Sequence, residues 1–238
     1  MKKLVSLFFI FVFILSVQSL AITKTPTIIG GTGLVRMPTG DVLDNRDYSF
    51  GIDYGSEVSS SAPSKPLLSY NVNMGSVWGR KGFELGFSGR TDKATERIKE
   101  GVFINMKYSL SSDDDNDSLY LAIGLENLSS YNDTDAYMVA SKYFKGGAGL
   151  HFGALFDLSG PKFRPVGMLG IGMPIGGMPL TLMGEVFAGE TIFEANAGIR
   201  YTLYKQMSFL LRGINITNSS SSRSSQSVTA GISLVSPF

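Results

Sequence analysis

From about residue 47 onward, apolar side chains recur at every second position, the mark of extended strands with one apolar face. Val102, Ile104, Met106, Tyr108 and Leu110 share one face, while Phe103, Asn105, Lys107 and Ser109 share the other. Phe83, Leu85 and Phe87 stand against Glu84, Gly86 and Ser88 in the same way. The pattern returns with Leu119, Leu121, Ile123 and Leu125 against Tyr120, Ala122, Gly124 and Glu126, and again through residues 193–201. Read along the chain, it predicts about twelve strands, near 47–55, 66–75, 82–89, 101–110, 118–126, 135–144, 147–157, 165–174, 178–187, 191–203, 206–216 and 226–235. Their length suits tilted strands crossing a bilayer, about nine to eleven residues each, and exceeds the roughly five or six common in soluble sheets. Helix signals are sparse: "TDKATERIKE", residues 91–100, would permit a short helix in a loop but forms no apolar face.

Alternation makes one face apolar without saying where that face points. A soluble sandwich turns it inward; a membrane barrel turns it to lipid. Loop lengths favour the barrel, because connections after odd strands, near 56–65, 90–100, 127–134 and 217–225, are longer than most of those after even strands. "SSDDDND" and the short "AGE" turn depart from that rule. Closure also removes two unpaired sheet edges, which in lipid would leave backbone groups unsatisfied. The predicted fold is therefore all-β, a closed antiparallel transmembrane β-barrel of about 12 strands. Its polar face would line a lumen with Asp53, Glu84, Lys107, Glu126, Lys142, Asp157, Glu185, Glu194, Arg200 and Arg212. Mixed charge of this kind reads as cross-strand pairing that fills and stiffens the lumen, with a narrow, weakly selective passage as the alternative. Trp78, with Tyr48, Tyr54, Tyr70, Tyr108, Tyr143 and Tyr201 near strand ends, suits interfacial aromatic girdles.

The start of the chain has a different character. Met1-Lys2-Lys3, an apolar run from Leu4 to Val17 and the small-x-small site Ser19-Leu20-Ala21 predict a cleaved secretory signal peptide over residues 1–21. Residues 22–46 follow as a Gly/Pro-containing periplasmic lead-in, and 47–238 as the barrel. The last strand ends in Phe238, which resembles the C-terminal aromatic signal read by barrel-assembly machinery; Ser236 and Pro237 depart from that pattern.

Composition narrows the chemistry. The 238 residues hold no cysteine, which removes disulfides, thiolate metal sites and cysteine nucleophiles. A formal net charge of +1 supplies no basic field for nucleic acid. "GGTGLVRMPTG", residues 30–40, invites a nucleotide reading, but after Gly31 and Gly33 the third glycine of a dinucleotide fingerprint is replaced by Arg36, and no Walker lysine follows. The acid run 111–117 lacks the glycine and distal glutamate of a calcium loop. His151 is the sole histidine, so no multi-histidine metal site can form, and no G-x-S-x-G motif occurs. No catalytic, cofactor or metal-binding residues are assigned.

The stretch "GGTGLVRMPTG" followed by "YSFGIDYG" resembles the start of YjbH-type outer-membrane β-barrel proteins, whose mature N-termini carry G-x-x-G-L-x-x-x-P-T-A before the first strand. Gly30, Gly33, Leu34, Pro38 and Thr39 fall at the matching positions, with Gly40 in place of the final small residue. "YLAIGLENLSSYNDTDAYMVASKYF" and "LTLMGEVFAGETIFEANAGIRYTLYKQMSFLLRGI" extend the likeness. The resemblance implies a non-enzymatic cell outer membrane protein of a Gram-negative-type envelope that assists exopolysaccharide export or surface attachment. Its implied partners are outer-membrane lipid, the assembly machinery and polysaccharide or export proteins, with the Gly/Pro segment capping or entering the barrel base. A small general porin or solute transporter, and a soluble secreted β-sandwich, remain as alternatives.

Overall fold

The computed structural model describes residues 24–58, 64–76, 81–90, 101–111, 119–130, 133–159, 164–204, 206–222 and 224–237. Twelve strands follow in order: β1 (Asp47–Glu57), β2 (Pro66–Gly75), β3 (Phe83–Arg90), β4 (Phe103–Ser109), β5 (Leu119–Glu126), β6 (Asp135–Tyr143), β7 (Gly149–Asp157), β8 (Pro165–Pro174), β9 (Leu180–Gly189), β10 (Phe193–Tyr204), β11 (Met207–Ile214) and β12 (Ser227–Pro237). Each pairs antiparallel with its neighbours in sequence, and β1 pairs with β12 to close the barrel. The closing seam runs without a slip from Asp47 opposite Pro237 to Glu57 opposite Ser227. The alternation thus located the strands to within about two residues at most ends, because no strand had to be inferred from composition alone. The candidate helix at 91–100, most of the acid run 111–117, Trp78, Phe238 and the leader lie outside the described residues.

The pleat sends large apolar side chains outward around the whole circumference. Phe50 and Ile52 on β1, Leu121 and Ile123 on β5, Leu169 and Ile171 on β8, and Phe209 and Leu211 on β11 are all exposed. Leu169 keeps 55% of its surface open. A continuous apolar belt of this extent marks a surface made for something other than water. The barrel is a single closed layer, not two sheets with their apolar faces pressed together. Such a twelve-stranded barrel fits an outer-membrane barrel protein, and its apolar belt is consistent with that location. Tyr48, Tyr54, Tyr70, Tyr108 and Tyr201 occupy outward register positions, whereas Tyr143 turns into the lumen.

The end of the barrel at which β1 begins is called here the turn end, and the opposite end the loop end. Residues 24–46, suggested by sequence as a lead-in that caps or enters the base, occupy the lumen itself. Ile28, Val35, Met37 and Leu43 are among the most deeply buried side chains. The segment doubles back on itself through isolated bridges between Pro26 and Thr32 and between Gly33 and Pro38. Ile28 N–H donates to the Val35 carbonyl (2.9 Å) and Thr39 N–H to that of Thr32 (3.2 Å). Gly30 and Gly31 hold φ of 101° and 68°, a region that side chains resist. A Cβ at Gly33 would strike the Met37 carbonyl, and one at Gly40 would strike the backbone of Tyr120. The glycines of "GGTGLVRMPTG" therefore serve a tight fold inside a tube, where no phosphate is needed to explain them.

Candidate functional site: a lumen closed by its own N-terminal segment

The lumen wall meets this plug with carboxylates aimed at backbone amides. Glu185 on β9 accepts from three successive N–H groups, those of Val35 (3.1 Å), Arg36 (2.8 Å) and Met37 (3.0 Å), and from the Asn196 side-chain amide (2.9 Å). Successive amides converging on one anion form a nest, and here the anion belongs to the wall. Glu84 on β3 does the same for the other limb, accepting from Thr32 N–H (2.8 Å), Thr32 Oγ1 (3.0 Å) and Leu43 N–H (3.0 Å). Lys107, opposite Glu84 in the β3–β4 register, donates to the Thr32 carbonyl (2.9 Å).

Amides and guanidinium groups on the wall satisfy the plug's carbonyls. Asn105 and Ser88 donate to the Ile29 carbonyl at 3.0 and 2.7 Å, and Asn71 to that of Thr27 at 3.2 Å. Arg212 reaches the Pro26 carbonyl at 2.6 Å and also pairs with Asp53. Arg200 donates to Thr25 Oγ1 at 2.7 Å. The result obeys the general demand that buried backbone groups find partners, although the segment has almost no regular secondary structure to supply them.

Each limb is also tied off at an end of the barrel. Near the loop end, Arg36 bonds Glu194 (2.7 Å) and Ser224 (2.8 Å), while Ser222 donates to the other Glu194 oxygen (2.6 Å). Burial opposes charge on Arg36, but Glu194, Glu126 and Glu185 together hold the guanidinium above its ordinary range. At the turn end Lys24 pairs with Asp44 at 2.6 Å. Tyr143 donates to Asp41 Oδ1 at 2.6 Å. Burial pushes the Asp41 carboxyl upward, yet Lys107, the Tyr143 hydroxyl, Lys24 and Thr39 together bring it below the usual value.

Among the predicted lumen residues, Asp53, Glu84, Lys107, Glu126, Glu185, Glu194, Arg200 and Arg212 are all buried. The β6–β7 register puts Asp157 on the same inner face as Asp135, at the loop end, where it accepts from Ser159 N–H (2.9 Å). Lys142 is different. It sits opposite Leu119 and Leu150, on the outward face at the turn end of β6, and a long side chain there can carry its charge beyond the apolar belt. Asp53 on β1 pairs with Arg212 on β11 across the intervening β12, and Glu84 and Glu185 grip the plug.

Two features were not anticipated. First, the inner wall of β5 to β9 is largely apolar: Ala122, Tyr137, Val139, Leu155, Val166, Met168 and Phe187 form a cluster that receives Met37. A second cluster joins Ile28, Ile29, Leu34 and Val35 of the plug to Met183, Leu210 and Ile214. The apolar run "TIIGG" and the "LVRM" stretch were the available signals, since a solvated lead-in has no use for them. Second, Ser141 Oγ lies 2.7 Å from His151 Nδ1. It also accepts Gly40 N–H at 2.7 Å, and both side chains are buried under the plug. A cavity of only about 30 Å³ remains beside them, between Gly33, Asp41, Tyr143 and His151. The pair anchors the plug through Gly40. Among the described residues no cluster of histidines and carboxylates is placed to hold a metal ion.

Compared with known proteins, the chain matches no protein-family model and no curated sequence. The geometry therefore carries the functional argument.

Proposed function

We propose that this protein is a non-enzymatic outer-membrane β-barrel, closed at rest by its N-terminal segment, that assists export or surface attachment of an envelope polysaccharide. The observation that carries the membrane reading is the apolar belt around a closed barrel whose polar groups face inward. The polysaccharide reading rests on the YjbH-like N-terminal motif, whose Gly30, Gly33, Leu34, Pro38 and Thr39 all lie in the plug or its turns. A permanently open porin is disfavoured by the buried plug. The first test is fractionation of the cell envelope with a heat-modifiability gel. The protein is expected with outer membranes, migrating faster unheated than boiled; recovery in the soluble fraction without detergent overturns the membrane reading. For the polysaccharide role, loss of the protein should lower surface-attached polysaccharide, and an unchanged amount in the deleted strain overturns that part.

A further inference from the structure

We propose that withdrawal of residues 24–46 converts the barrel into a cation-preferring pore. This rests on the membrane reading above and goes beyond it by giving the lumen a conductive state and a charge preference.

The first observation is the wall's charge. Among the described residues its buried carboxylates are Asp53, Glu84, Glu126, Asp135, Glu185 and Glu194. Its buried cations are Lys107, Arg200 and Arg212. In the closed state Glu84 and Glu185 accept from backbone amides of the plug, and Glu194 pairs with Arg36, which belongs to the plug. Removing the segment takes these partners away together. The freed carboxylates then face an aqueous lumen in which acids outnumber bases two to one, and a pore lined by one sign of charge favours the opposite ion.

The second observation shows where the plug fits its tube least well. Across β11, β12, β1 and β2, six polar atoms meet no hydrogen-bond partner among the described residues: Arg212 Nε, Thr229 Oγ1, Ser233 Oγ, Asp53 Oδ2, Ser69 Oγ and Asn71 Oδ1. The register makes them one patch, with Arg212 opposite Thr229, Asp53 opposite Ser69, and Gly51 between Ser233 and Asn71. Buried polar atoms left unpaired favour any state in which water reaches them. The closed state is thus opposed along one contiguous panel, while it is held at Glu84 and Glu185. The turn joining plug to β1, where Asp47 N–H meets the Asp44 carbonyl and Arg46 has a φ of 65°, lies at the turn end and supplies a hinge for withdrawal in that direction.

The test uses the full chain in planar bilayers. Gly33→Val with Gly40→Val unseats the plug without altering any wall charge, because each new side chain would strike backbone. The native protein should be silent apart from brief openings. The double variant, heat-modifiable and inserted, should conduct, with a reversal potential in a KCl gradient displaced toward the potassium equilibrium value. Silence of the inserted variant, or displacement toward the chloride value, overturns the proposal; failure of the native chain to insert overturns the membrane reading instead. Should the double variant not fold, Val35→Cys in the otherwise native chain provides the second measurement. Val35 is fully buried and the chain has no other cysteine. A water-soluble maleimide should label it in intact barrels as the plug withdraws, and complete protection until the barrel unfolds overturns the proposal.

Discussion

The two halves of the inner wall differ as much as the inside of a barrel differs from its outside. From β10 round through β12 and β1 to β4 the wall is polar and holds the plug by hydrogen bonds to named backbone atoms. From β5 to β9 it carries the apolar cluster that receives Met37, beside which Glu185, Ser141 and Tyr143 bond the plug. A water-filled lumen requires only polar side chains, whereas a lumen filled by protein needs a core. The apolar half shows that this barrel's interior is built around an occupant.

The halves should respond differently to mutation, and the largest effect is expected at the most buried charge pair. Arg212 has no exposed surface, and removing it leaves Asp53 buried beside atoms that cannot replace it. Arg212→Leu should cost about 3–5 kcal/mol in denaturant unfolding of the detergent-solubilised barrel. Combining it with Asp53→Leu should recover much of that loss. An additive double change would show that the two charges act independently. On the apolar half no such rescue exists: Phe187→Ala should cost about 3 kcal/mol through transfer and cavity terms. A loss under about 1 kcal/mol would mean the cluster is loosely packed.

A smaller effect is expected where the halves cooperate on one strand. Glu185 leaves β9 on the same inner face as Phe187 and Met183, yet it grips the plug's amides. Glu185→Gln keeps the shape and loses the charge, which should weaken the plug by about 2 kcal/mol, the worth of hydrogen bonds to a charged group. Faster maleimide labelling of Val35→Cys reads this directly. An unchanged labelling rate would mean that Glu185 does not retain the plug.

The contrast also explains what could be read from sequence. On β3, β4 and β10 one face is apolar and the other polar, so strand limits and the direction of Glu84, Lys107, Glu194 and Arg200 were legible from period-two alternation alone. On β6 both faces are mixed: Tyr137, Val139, Ser141 and Tyr143 point in, while Ala136, Met138, Ala140 and Lys142 point out. Polarity therefore assigned Lys142 to the lumen, and the girdle reading took Tyr143 as interfacial, whereas the register puts Lys142 outward and Tyr143 inward. The plug's contacts were illegible for another reason. Its partners lie up to 188 residues away, as with Arg36 and Ser224, and a segment without regular structure carries no period that could announce them.

The smallest expected effect concerns acidity, and it tests the plug's turn-end ties, where Tyr143 of β6 holds Asp41. Asp41 has a folded-state pKa below its ordinary value, so its contribution is fully present above the unfolded value, near 4, and is lost as pH falls through the lower folded one. Lys24 behaves oppositely: its pKa is raised against the pull of burial, chiefly by Asp44, so its contribution holds below about 10 and fades as pH rises beyond that. Since Asp44 is largely exposed, the Lys24 pair contributes little. Labelling of Val35→Cys after brief acid exposure should therefore accelerate on the acid side, by less than about tenfold, equivalent to roughly 1.4 kcal/mol. Tyr143→Phe removes a donor that lowers the Asp41 pKa, which raises that pKa and moves the acid limb to higher pH. An acid limb that stays in place in Tyr143→Phe would mean that another carboxylate controls it, and the turn end would then contribute nothing of its own to holding the plug.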